Sequence, residues 1–194
     1  SFALVDAQVL FGGRTVNTTL LDSTSDNMVM EMRFAAHIDP IPFIPVALGV
    51  SYGVITGSAS TYFSLITDND FRINNTKAND LAVELMAWSP VSLVGITPYL
   101  KAGYVVYGDY EIDGYYYLGD QEIGVDLAYD TSGYLVSLGL RWNPIRVLGL
   151  LFEMQYASYD LSFDKLTQDS NTGLVSVPAS TTSWTWMFGL QVGI

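Results

Sequence analysis

Hydrophobic and polar residues alternate with a period of two along much of the chain, most persistently over its last eleven residues. There Trp184, Trp186, Phe188, Leu190, Val192 and Ile194 share one face, and Thr185, Met187, Gly189, Gln191 and Gly193 share the other. A period of two belongs to a strand, because successive side chains leave a pleated backbone on opposite sides. A sheet facing water rarely carries two Trp, a Phe and three aliphatics in one outward row. A strand whose outer face meets lipid and whose inner face lines a filled or wet barrel is built this way.

The same period, followed from the start, predicts strands near residues 3–14, 28–38, 44–56, 81–88, 95–110, 134–142, 148–156 and 184–194. Each is near or above the roughly 9–11 residues needed to cross a bilayer at a tilt. Outward rows include Met28, Met30, Met32, Phe34, Ala36 and Ile38, and Leu148, Leu150, Phe152, Met154 and Tyr156. Between the strands, Pro40, Pro90 and Pro144 mark short turns about fifty residues apart, since proline cannot donate to a ladder. Four stretches rich in Asp, Asn and Ser read as long loops. Short turns on one side and long loops on the other define an all-β fold: an eight-stranded antiparallel up-and-down transmembrane β-barrel, one domain over residues 1–194. Trp88 and Trp142 beside the turns, with Tyr110, Tyr134, Tyr156, Tyr159, Trp184 and Trp186 toward the loops, are expected to form two interfacial girdles. A soluble up-and-down barrel would need its apolar face inside, and here the charged residues hold the other parity. The uncharged stretch 40–67 holds three prolines and three glycines, which suits a strand and its turns better than a membrane helix.

Composition narrows the function classes. Only 14% of residues are charged, below the roughly 25% of a typical soluble domain. The net charge of −12 excludes a phosphate-tracking surface, so no nucleic-acid partner is expected. With no cysteine, neither a disulfide framework nor a thiolate metal site can form. No cofactor is expected. The chain opens in strand register, so an exported protein would have lost its leader.

The inward charges are the sharpest chemical feature. Asp6, Arg33, Glu84, Lys101 and Glu153 fall five or six residues above the turns, Glu31 one step higher, Arg141 and His37 lower. An eight-stranded barrel is only wide enough inside for side chains to fill it, and buried charges persist only when paired. Arg33 and Lys101 are therefore expected to bridge Asp6, Glu31, Glu84 and Glu153, with Arg141 nearby, as a lumen plug or as a gate whose pairs exchange. The loops hold acids in excess; Asp109, Glu111 and Asp113 offer carboxylates for a divalent cation but lack a calcium loop's glycine spacing. Tyr115, Tyr116 and Tyr117 are candidate partner contacts. The single histidine, His37, lies at the turn end, and no serine or threonine has a base beside it, so no enzymatic activity is expected.

On strand count, turns and lumen charges, the chain resembles the small eight-stranded outer-membrane proteins: the OmpA transmembrane domain, OmpX/Ail and OmpW. Its last residues are similar to the assembly signal of that class, with Gly189 in place and Val192 and Ile194 where aromatics are usual. The resemblance implies an OmpA-type ion-pair plug carried by Arg33, Glu84, Lys101 and Glu153. The OmpX-like members imply adhesion through protruding strands and loops, and the OmpW-like members imply passage of small hydrophobic molecules. A monomeric bacterial outer-membrane protein follows as the expectation, structural or surface-interacting, with a narrow gated channel as the alternative. Its partners would be the bilayer, lipopolysaccharide, and a surface or envelope protein met through the loops.

Overall fold

A computed structural model describes residues 5–20, 23–39, 44–57, 61–64, 70–118, 121–145, 147–168 and 179–193. Nine strands form one antiparallel sheet: β1 Val5–Leu20, β2 Ser23–Ile38, β3 Val46–Gly57, β4 Thr61–Ser64, β5 Asp70–Trp88, β6 Ile96–Leu118, β7 Gln121–Ile145, β8 Leu148–Gln168 and β9 Ala179–Gly193. Their hydrogen-bonded order is β3-β2-β1-β9-β8-β7-β6-β5-β4, and a β3–β5 pairing joins the two ends. Both β3 and β4 lie against β5, which pairs through residues 76–87 with the first and 70–73 with the second. They fill one place in the wall. The barrel is thus closed, up-and-down and eight strand positions round, and closure leaves no sheet edge to protect.

The outward parity is apolar from β1 to β9. Val9, Phe11, Met30, Met32, Phe34, Leu48, Val50, Val83, Leu85, Leu100, Tyr104, Val136, Leu138, Leu140, Trp184, Trp186, Phe188 and Leu190 are all exposed. Tyr134, Tyr156 and Trp184 form a continuous aromatic row, with ring centroids 6.3 and 5.0 Å apart. Phe152 stacks on Trp186 at 5.8 Å one step below. About half of each of these side chains stays exposed in one continuous apolar band, so water would oppose this belt and a lipid surface would favour it.

Strand lengths depart from the sequence reading. The polar stretch 23–27 is paired strand, and so are residues 70–75, 109–118 and 121–130. Three of the supposed long loops are largely tall hairpins; β1 and β2 stay paired up to Leu20 and Ser23, and β6 and β7 up to Leu118 and Gln121. In β6 and β7 above the belt the pattern is inverted, with Tyr110, Ile112, Val125 and Tyr129 inside and Glu111, Asp126 and Asp130 outside, so a search for an apolar outward row reads these stretches as loops. Asp68 and Asn69 lie outside the described residues, as does Ile194.

Four aromatics stand on the opposite side from the one expected. A bulge between Val105 and Asp109 leaves Val106 and the expected lumen residue Tyr107 both outside. It turns Tyr110, assigned to a girdle, inward. Tyr159 and Trp88, also assigned to girdles, are buried in the lumen. Both follow the parity of their strands, with Met86 beside Trp88 and Ala157 beside Tyr159.

Inside, glycines make room for large side chains on the next strand. Gly49 faces His37, Gly53 faces Arg33, Gly139 faces Tyr99 and Gly189 faces Leu10. A β-carbon at Gly53 would sit 2.6 Å from Arg33 Nη2. One apolar cluster, including Val16, Val29, Ile55, Ile112, Tyr129, Leu135 and Leu161, fills the end nearer the hairpin tips. A second, Leu10, Ala47, Met86, Trp88, Tyr99, Leu151 and Met187, lies toward the turns. Charged side chains occupy the rest of the lumen.

Candidate functional site

The charged lumen is supplied by seven strands, each contributing residues of its inward parity. Its upper node is Arg14 and Arg33 with Glu31 and Asp80. Arg33 donates from Nε and Nη2 to Glu31 Oε1 at 3.1 and 2.9 Å, and from Nη2 to Asp80 Oδ2 at 2.9 Å. Its Nη1 lies 2.9 Å from Asp80 Oδ1 and donates to Ser51 Oγ at 2.9 Å. Arg14 Nη1 meets Glu31 Oε2 at 3.2 Å, and its guanidinium stacks 5.0 Å from the Tyr159 ring centre. Thr185 and Tyr159 complete the node, donating to Glu31 and Asp80 at 2.9 Å each.

Two further nodes lie toward the turns. His37 Nδ1 is 3.0 Å from Asp6 Oδ1, and its Nε2 is 3.2 Å from Glu84 Oε2. Lys101 Nζ pairs with Glu153 Oε2 at 2.7 Å, and Tyr99 donates to the same oxygen at 2.8 Å. Neutral side chains join the nodes. Ser51 donates to Glu84 while accepting from Arg33, and Gln8 accepts from Lys101 at 2.9 Å while donating to Asp6 at 3.2 Å. The side chains of Arg14, Glu31, Arg33, His37, Lys101 and Glu153 are at most 3% exposed. Charges so thoroughly desolvated are tolerable only in this paired, hydrogen-bonded state.

The structure thus brings Asp6, Glu31, Arg33, Glu84, Lys101 and Glu153 into one connected set, with a different pairing from the one expected. Arg33 holds Glu31 but neither Glu84 nor Asp6; Lys101 holds Glu153; Asp6 and Glu84 share His37. Arg141 stands apart, half-buried, its guanidinium 6.0 Å from the Trp88 ring in a cleft at the turn end with Asp6, Asp39 and Gln191. Sequence reasoning does not place Arg14, Asp80 or His37 in the network. The signal is present: Arg14 shares the parity of Asp6, and Asp80 that of Glu84. His37 is not at an open mouth but fully buried between two carboxylates, its ring seated over Gly49. Both ring nitrogens face carboxylates, Nδ1 Asp6 and Nε2 Glu84.

The other expected contacts lie on β6. Asp109, Glu111 and Asp113 point outward from a strand, not from a loop. Asp130 and Asp126 of β7 stand directly opposite Asp109 and Asp113. Asp109 accepts a hydrogen bond from Tyr107 at 2.8 Å. Among the described residues no group of three His, Cys, Asp or Glu is placed to hold a metal ion. Tyr115 is half-buried and pairs with Arg72 and Gly124, while Tyr116 and Tyr117 continue the strand opposite Ile123 and Glu122. The side chains of those two tyrosines lie outside the described residues.

No family model matches the chain, and no curated protein sequence does. Solved structures do match in shape. Neisserial surface protein A (NspA) covers 100% of this chain with 99% of its own, at TM-score 0.57 and 13% identity. A major outer membrane protein from Thermus thermophilus covers 96% with 99% of its own, at TM-score 0.54 and 9% identity. The outer membrane protein OprG from Pseudomonas aeruginosa covers 100% with 98% of its own, at TM-score 0.50 and 14% identity. The chain has the fold of the small outer-membrane β-barrels. At these identities the likeness extends to the architecture, and what this barrel does must be argued from its own lumen and surfaces.

Proposed function

We propose that the protein is an integral bacterial outer-membrane barrel with a closed lumen, serving as a structural and surface-interaction protein through its tall acidic hairpins. The observation that carries this reading is the burial of the ion-pair network, whose side chains fill the interior from Asp6 to Arg14. A gated narrow channel would have to part these pairs. Leaving one such charge buried without its partner costs about 3–5 kcal/mol, so an open state would be populated at roughly one part in a hundred to one in several thousand. The plug therefore outweighs the gate.

The interaction role rests on β6 and β7, which rise past the bulge near Val105 and expose Glu111, Asp126 and Asp130. Replacing residues 109–130 with a two-residue turn should leave a barrel that still shows heat-modifiable mobility on a gel. The same barrel should lose binding to whatever cell surface or envelope component the intact protein binds. A shortened protein that keeps all its surface binding would overturn the interaction role, and lipopolysaccharide or a surface protein can each be supplied as the binding partner.

A further inference from the structure

At the turn end of the barrel the β5–β6 connection is apolar where a rim facing water would carry charge. The β5–β6 connection, Ser89-Pro-Val-Ser-Leu-Val-Gly95, contains no ionisable residue. It exposes Val91 at 64%, Leu93 at 75% and Val94 at 94%. Leu93 and Ile96 exchange both backbone hydrogen bonds, at 3.0 and 2.8 Å, around a two-residue turn. Val94 and Gly95 hold φ at +53° and +78°. A tight turn with two positive φ values is ordinarily supplied by Asn-Gly, and a β-branched residue there is strained. The turn leans on the outward face: Gly95 lies against the Trp142 indole, and its carbonyl accepts from Asn143 N at 3.4 Å. Ile145 at the end of β7, Val147 just before β8 and Ile44 before β3 are also exposed. Among the described residues of these three connections no charged side chain is exposed; Asp39 is buried. The hairpin end, by contrast, exposes Lys77, Glu111, Asp126, Asp130 and Asp160.

We propose that the β5–β6 turn is a lipid-inserting foot, with Val91, Leu93 and Val94 seated in the interfacial layer of the leaflet at the turn end beside Trp142. This inference rests on the reading of the apolar belt as membrane-spanning. The foot is continuous with that belt through Ile96 and Trp142, both outward and exposed. Trp is the residue that favours the interfacial depth, and apolar side chains next to it gain by leaving water. A strained valine at the tip of a turn loses nothing to solvent if its side chain lies in lipid. A foot without carboxylates also avoids setting negative charge against phosphate headgroups, which the acidic hairpin end would not.

The absence of cysteine allows each site to be labelled alone. Val94→Cys, Leu93→Cys, Leu138→Cys in the belt and Glu111→Cys on the hairpin would each carry an environment-sensitive fluorophore in refolded protein. Each would be reconstituted into phosphatidylglycerol–phosphatidylethanolamine vesicles with or without brominated acyl chains. The Val94 and Leu93 probes should be blue-shifted and quenched by brominated lipid to an extent near that of the Leu138 probe. Aqueous iodide should reach them far less than it reaches the Glu111 probe. Val94 and Leu93 probes that behave like Glu111 would overturn the foot while a quenched Leu138 probe kept the membrane reading. Probes shielded from both quenchers would overturn it too, in favour of a protein contact or a second copy. A Leu138 probe untouched by brominated lipid would sink the membrane reading itself.

Discussion

Arg33 uses every nitrogen of its guanidinium, on Glu31, Asp80 and Ser51, and no part of it reaches solvent. Arg33→Met would leave buried Asp80 without its described cation and Glu31 with Arg14 alone, and a loss of about 3–5 kcal/mol of unfolding free energy is expected in urea titrations of the bilayer-folded protein. The neighbouring glycine allows a sharper test. Gly53→Ala would drive a methyl into Arg33 Nη2 and to within 3.1 Å of Asp80 Oδ1, and overpacking of this kind costs about 1–3 kcal/mol. Gly13→Ala, on the outward face, would meet only the flexible end of Met28 at 3.1 Å and should change stability little. Equal losses at the two glycines would show that residue 53 is not packed against the ion pairs. The sequence places Glu31, Arg33, Glu84, Lys101 and Glu153 on the inward face because parity alone decides the side. It cannot assign partners, since pairing depends on the stagger between strands, which no single strand's pattern contains. For that reason His37, between Asp6 on one neighbour and Glu84 beyond Gly49 on the other side, is legible as inward and not as the bridge it is.

At the scale of the strands, the informative feature is the row structure of the β5–β8 hairpins above the belt. Asn79, Asp109, Asp130 and Ser162 form one cross-strand row, and Asn75, Asp113, Asp126 and Thr167 form another. Between them run Lys77, Glu111, Ala128 and Lys165. Like charges directly opposite are destabilising, by roughly 0.2–1 kcal/mol on the scale of cross-strand pairs. Asp126→Asn and Asp130→Asn should therefore each raise the unfolding midpoint slightly at low salt. The gain should fade near physiological ionic strength, where the screening length is about 8 Å. A gain that does not depend on salt would mean the opposed carboxylates do not feel each other. Sequence alone reads these strands as loops because the belt is recognised by an apolar outward face, and here the apolar residues Tyr110, Ile112, Val125 and Tyr129 face inward while the carboxylates face out. The bulge at 105–109 is hidden for a related reason: a single extra residue reverses parity, and Tyr107 and Tyr110 exchange sides without any local sequence signal. Over the belt, where one face is apolar throughout, strand existence, direction and sidedness are all legible.

For the whole molecule, the closed wall and the buried ion-pair layer act together. Closure fixes the lumen at eight strand positions, a width that side chains fill. The ion pairs link β1 to β2, β2 to β5 and β6 to β8, the Lys101–Gln8 and Tyr159–Asp80 hydrogen bonds reach farther across the lumen, and the hairpins and turns are left to meet the surroundings. A plugged barrel must keep its lumen closed in a bilayer. Single-channel recording of the refolded barrel in a planar bilayer tests this most directly, with folding verified by heat-modifiable gel mobility. A baseline without discrete steps is predicted for the native protein, and for Gly13→Ala as a control. Reproducible conductance steps from the native barrel would contradict the plug, and steps altered by Lys101→Met or Arg33→Met would identify the ion pairs as a gate.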